Sequence, residues 1–99
     1  MILTKTTPEE IEKLKEVIGS MAMDLKRVAL GLHRGSLNMA ERFKEEALKR
    51  ELELKNHQDE YLKKILKGSK EALLSEKDGR DEDILMYSTL FQNFALKKI

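Results

Sequence analysis

Histidine is the side chain that changes charge near neutral pH, and it is the commonest metal ligand. This chain has two, His33 and His57. General acid–base or metal chemistry therefore rests on one of them or on carboxylates alone. His57 lies four residues after Glu53 and three before Glu60, a spacing that sets three potential ligands on one helical face about a turn apart. Di-iron helical proteins instead take a Glu-x-x-His motif from each of two helices plus two further glutamates, and no Glu-x-x-His occurs here. In a segment so rich in Glu and Lys, the spacing is what an ion-paired, solvated helix face produces in any case. No metal and no cofactor is expected. Cysteine is absent, which removes disulfides, thiolate zinc sites and a cysteine nucleophile. Phosphate-cradling glycine loops and a Gly-x-Ser-x-Gly elbow are also missing.

The remaining polar candidates are charges. Asp24, Lys26 and Arg27 interrupt the most apolar stretch, Val17 to Leu32. Asp24 falls beside the apolar stripe, where a carboxylate must face water or find a partner. Arg27, one turn on, is the expected partner. The pair reads as a device fixing helix register or, more sharply, as a polar pocket between helices. Lys26, Arg27, His33, Arg34 and Arg42 are the candidates for a basic patch at the first turn, where a phosphate would find cations and helix amides. The global balance argues against a dedicated nucleic-acid binder. Nineteen basic and 18 acidic residues leave a net charge of +1 and a pI of about 7.9, below the roughly 9 expected of such domains. The three Phe and two Tyr all fall on apolar stripes, leaving no platform for stacked bases. Nucleic-acid binding is expected to be weak and salt-sensitive at most.

The Arg27-x5-His33 spacing resembles the Arg-x4-6-His motif of HEPN-type ribonucleases, small helical proteins whose dimer interface holds the site. The resemblance covers those two residues. Val28 follows the arginine where that family usually has a polar residue, and the pair lies early in the chain rather than late. The resemblance implies RNA cleavage by a dimer with Arg27 and His33 in the site.

The elements that position these residues are helices. Charged residues make up 37% of the chain and hydrophobic residues 40%, with one Pro and five Gly, a mixture used by helical bundles and coiled coils. Thr7-Pro8-Glu9-Glu10 carries a capping hydroxyl, a proline at the first helical position and a glutamate at the third. Ile11, Leu14, Ile18, Met21, Leu25, Val28 and Leu32 then repeat in alternating steps of three and four, the stripe of helices packed at a shallow angle. Gly35 is the expected helix stop, with Ser36 or Asn38 capping the next helix. A single long helix kinked at the glycines would carry the same pattern. The second helix is expected over 38–67, with Glu45, Glu46, Glu51, Asp59 and Glu60 each four residues ahead of a cation and an apolar stripe that thins between Arg50 and Gln58. Gly68-Ser69 reads as a stop and a fresh cap before a short helix over 70–75. Asp78-Gly79 marks a loop, and Asp81 is the expected cap of a last helix over 82–97, closed by Lys97 and Lys98, whose apolar face is Ile84, Tyr87, Phe91 and Phe94.

These features predict one all-α domain spanning residues 1–99, a helical hairpin extended to a three- or four-helix bundle, and a dimer. Between Val17 and Leu32 the first helix is apolar on more than the roughly 100° that one neighbour covers. Met21, Leu25 and Val28 face the interior, so Ala22, Met23, Ala29 and Leu30 are the expected homo-oligomer interface. With no apolar run of about 18 residues and no leader pattern in Met1 to Pro8, a soluble cytoplasmic chain is expected. The functional expectation is a non-enzymatic protein–protein interaction or assembly module. The alternative is an accessory subunit of a nucleic-acid complex or a HEPN-like ribonuclease.

Overall fold

The computed structural model describes residues 7–97. The readings that fall outside them, the stretch before Thr7 and Lys98 at the last helix end, are not addressed by it. Four helices follow one another: α1 (Pro8–His33), α2 (Leu37–Leu54), α3 (Glu60–Leu74) and α4 (Arg80–Lys97). Among the described residues there is no strand, and no helix is long and apolar enough to cross a membrane.

α1 begins where its sequence says. Thr7 Oγ1 accepts from the Glu10 amide at 3.2 Å, with Pro8 at the first helical position. It ends at a closed turn rather than a kink. Gly35 takes a φ of +74°, the Ser36 amide donates to the Gly31 carbonyl at 2.8 Å, and the Gly35 amide donates to Leu32 at 3.2 Å. This is the paired Schellman pattern that satisfies the last carbonyls of a helix. Ser36 stands at the N-cap of α2, though its hydroxyl makes no capping bond. Gly31 is required for a second reason. A Cβ there would sit 2.9 Å from the Ala40 amide nitrogen and 3.1 Å from the Ser36 carbonyl, so only glycine lets α2 fold back this closely.

The expected helix over 38–67 is two helices. The chain leaves α2 after the buried Leu54 and re-enters at Asp59, whose carboxylate accepts from the Leu62 amide at 2.8 Å. Asn56, His57 and Asp59 are poor helix formers, and Asp59 is a strong N-cap. The thinning stripe was therefore a break. The reverse correction applies at Gly68-Ser69, where α3 continues unbroken to Leu74. Ser69 is fully buried and donates to the Leu66 carbonyl at 3.0 Å, so its hydroxyl is satisfied within the helix. Gly68 leaves room for the Tyr87 ring, which a Cβ would strike. Asp81 does not cap α4 but lies in its first turn with Glu82 and Asp83, where carboxylates suit the positive end of the helix dipole.

α1 packs on both α2 and α4, α4 packs on α3, and α2 meets α3 more sparingly. His33 at the end of α1 lies beside Asp81 at the start of α4, and Tyr61 at the start of α3 stacks on Phe94 near the end of α4, with ring centroids 6.1 Å apart. Consecutive helices are thus antiparallel, and α4 returns against α1. The core holds Ile18, Met21, Leu25 and Val28 of the α1 stripe, Ala40, Ala47 and Leu54 of α2, Leu62, Ile65, Leu66 and Leu73 of α3, and Ile84, Phe91 and Phe94 of α4. The molecule measures 44 × 21 × 20 Å.

Candidate functional site

Three places gather polar or exposed apolar side chains, and all involve α1. The first is the seam with α2. Asp24 is buried on α1 with Arg27 Nη1 3.7 Å from one carboxylate oxygen and Arg50 Nε 4.0 Å from the other. Arg27 is the expected partner, and Arg50 is one the spacing within α1 could not reveal. Burial raises the Asp24 pKa above its ordinary value because desolvation disfavours the charged form, and Arg50 and then Arg27 partly offset this. Arg50 also approaches Glu53 at 3.5 Å. Beyond Asp24, the Arg27 and Arg42 guanidinium groups lie over the Phe43 ring at 5.1 and 5.6 Å from its centroid, a cation–π arrangement.

The expected basic turn patch is therefore divided. Arg27 and Arg42 meet over Phe43, but Lys26 is exposed on another side of α1. His33 turns to α4, its Nδ1 3.4 Å from an Asp81 carboxylate oxygen, and Arg34 caps the end of α1 in solvent. Arg27 and His33, the pair of the ribonuclease-like spacing, serve different helices: six residues of α-helix turn through about 600°, which leaves them on separated faces of α1.

The second place is a cleft of about 460 Å³ where the first turns of α1 pass the end of α2, lined by Glu10, Lys13, Leu14, Val17, Glu53, Leu54 and His57. Glu53 and His57 do come together here, and His57 Nδ1 is shielded from water without a hydrogen-bond partner. Glu60 does not join them. It begins α3, across the helix break, and its almost fully exposed carboxylate approaches Lys63 instead. Among the described residues no three His, Cys, Asp or Glu side chains gather as a metal set.

The third place is the groove between α1 and α4, about 490 Å³, lined by Gly19, Ala22, Met23, Lys26, Arg27, Leu30, Ser88, Gln92, Ala95 and Leu96. It bears directly on the expected oligomer interface. Ala22 and Ala29 are 5% and 4% exposed within the single chain, so they need no second protomer. At Ala22 the cover is α4, whose Ser88 hydroxyl donates to the Ala22 carbonyl at 2.6 Å. Small residues on both helices let the backbones come this close. The interface expectation narrows to Met23, 54% exposed, and the half-buried Leu30. Leu96 of α4, 70% exposed, joins them on the groove and was missed by sequence. The apolar face of α4 points inward, and only the return of α4 along α1 puts Leu96 on the groove that Met23 also lines.

The surface ion pairs take a different spacing from the expected one. Glu41–Lys44, Glu46–Lys49, Arg50–Glu53 and Glu60–Lys63 are each three residues apart, and such exposed pairs add little stability.

Comparison of the chain with models of protein families, with curated proteins and with solved structures gives no match.

Proposed function

We propose that this chain is a non-enzymatic protein–protein interaction and assembly module, and that it works through the α1–α4 face. The supporting observation is an apolar strip left uncovered beside a groove: Met23 and Leu96 stand in solvent on either helix with Leu30 between water and core. Large apolar side chains placed contiguously on a surface mark interaction sites far more than scattered ones do. Methionine suits such a role because its flexible thioether adapts to a partner surface. The polar groups that gather elsewhere lie beside partners within the chain, Asp24 near Arg27 and Arg50, and His33 near Asp81.

The test is affinity purification of the full chain from its native host, beside the variants Met23→Glu and Leu96→Glu. The expected result is a stoichiometric protein species held by the unaltered chain and lost from both variants. RNA held at physiological salt by all three proteins, and released by Arg42→Glu, would replace this reading with the second one, an accessory subunit of a nucleic-acid complex. The observation favouring that second reading is the pair of guanidinium groups over Phe43.

A further inference from the structure

The solvent-facing stripe of α1 has an order that selects its own partner. Glu12, Glu16, Gly19, Met23, Lys26 and Leu30 follow one another in steps of three and four, so they line one side of the helix. Glu12, Glu16, Met23 and Lys26 are exposed, while Gly19 and Leu30 are half-buried beside the groove. The acids occupy the N-terminal part, Lys26 lies toward the C-terminal part, and the small Gly19 and the projecting Met23 meet in the middle. A Cβ at Gly19 would touch nothing within 4 Å, so the helix has an open dimple there, one turn from the projecting Met23.

Resting on the interaction reading above, we propose that the occupant of this face is a second copy of the chain, with the two α1 helices antiparallel about a two-fold axis level with position 21. The sequence is self-complementary about that level. Gly19 and Met23 are equally far from it, as are Glu16 and Lys26. Met23 of each copy then enters the dimple at Gly19 of the other, beside Leu96, and Glu16 of each faces Lys26 of the other. Every contact occurs twice, as an isologous interface requires. Glu12 falls opposite Leu30, at the margin of the apolar contact, where its carboxylate stays in water. A parallel pairing in register would instead set Glu16 on Glu16 and Lys26 on Lys26, a juxtaposition that charge disfavours. The size also fits. α1 runs for 26 residues along the molecule's 44 Å long axis, so two such helices can lie side by side over several turns.

Light scattering after size exclusion, and sedimentation of the full chain from 1 to about 100 µM, test the proposal. The expected result is a dimer that Met23→Glu weakens at least tenfold while circular dichroism keeps the helical signal. Glu16→Lys and Lys26→Glu each weaken it, and the double variant recovers most of the loss, because the antiparallel register restores both pairs. A monomer throughout the range overturns the second copy and leaves the interaction reading with a different protein as partner. A dimer indifferent to both Met23→Glu and Leu96→Glu overturns both readings together. A dimer broken by Met23→Glu but not recovered by the charge exchange overturns the antiparallel register.

Discussion

α1 shows two differently finished sides. Toward α2 the seam gathers its charges inside the chain: Gly31 admits the backbone of Ala40, Asp24 lies between Arg27 and Arg50, and Phe43 lies under two guanidinium groups, though Arg50 Nε and His57 Nδ1 are buried without a hydrogen-bond partner. Toward α4 the backbones also approach closely, through Ala22 and the Ser88 hydroxyl, but the rim is left apolar and open at Gly19, Met23 and Leu96. Burial alone does not separate the two sides, since each contributes fully covered residues to one core. They differ in where the unsatisfied surface lies. A polar group stranded in a seam is expensive and must be answered inside the chain. An apolar group stranded on a rim costs little and can wait for a partner.

The comparison predicts a ranked set of responses, read by urea denaturation of the monomeric form. The largest follows from Leu25→Glu, which puts an unpaired carboxylate where side-chain exposure is nil. Both sides of α1 should open, with a loss above about 4 kcal/mol and helicity collapsing at 25 °C; a folded Leu25→Glu would mean that the core is far looser than it is drawn. Gly31→Ala comes next. Its methyl meets backbone rather than a yielding side chain, so the α2 side alone should separate at a loss of about 1–3 kcal/mol. An unchanged midpoint would show that the close approach is not needed. Ser88→Ala removes the hydroxyl that donates to the Ala22 carbonyl across the helices and should loosen the α4 side by about 1 kcal/mol, with faster hydrogen exchange confined to α4.

The smallest response is one of slope. The folded pKa of Asp24 is raised above its unfolded value, chiefly by desolvation, so near that pKa the native state binds the proton more tightly than the unfolded chain. Its ionisation on folding opposes stability. That penalty is absent at low pH, sets in as pH rises from the unfolded pKa through the folded one, and stays constant above. Asp24→Asn does not titrate. Relative to the Asn variant, the unaltered protein should therefore lose stability as pH rises through the carboxylate range and show a level difference above the folded pKa. A difference that instead grew in favour of the unaltered protein with rising pH would mean that Arg50 and Arg27 outweigh burial, and the α2 seam would be an attractive ion-pair site.

Local rules carried much of the fold. The Thr7 cap, the Gly35 stop and the α1 stripe involve groups within a few residues of one another, and each behaves as its chemistry dictates. Two polar segments were misjudged in opposite directions, and for one reason. Residues 55–59 and Gly68-Ser69 both carry helix-breaking residues, and whether a break forms depends on what lies beside it. Asp59 has the free Leu62 amide to cap. Gly68 has the Tyr87 ring against it, and Ser69 a carbonyl of its own helix. Of these, the Tyr87 ring against Gly68 lies far off in sequence, and only the folded chain brings it there.

The site was less legible than the fold. That α1 is apolar beyond one neighbour's reach could be read from periodicity, and so could the pairing of Asp24 with Arg27. The allocation of the surplus could not. A helix of period 3.6 fixes which residues share a side, which made Ala22, Met23, Ala29 and Leu30 candidates together. It says nothing about which neighbour returns to cover that side. Long-range packing decided it: Ala22 and Ala29 are buried within the chain, α4 brings Leu96 to the groove that Met23 lines, and α2 sets Arg50 on Asp24. Sequence by itself determined the helical class, the two ends of α1 and the order of charges along α1, because those depend on bonds and spacings within a few residues. Tertiary structure alone decided which apolar groups remain for a partner, because exposure belongs to the assembled surface and not to any one helix.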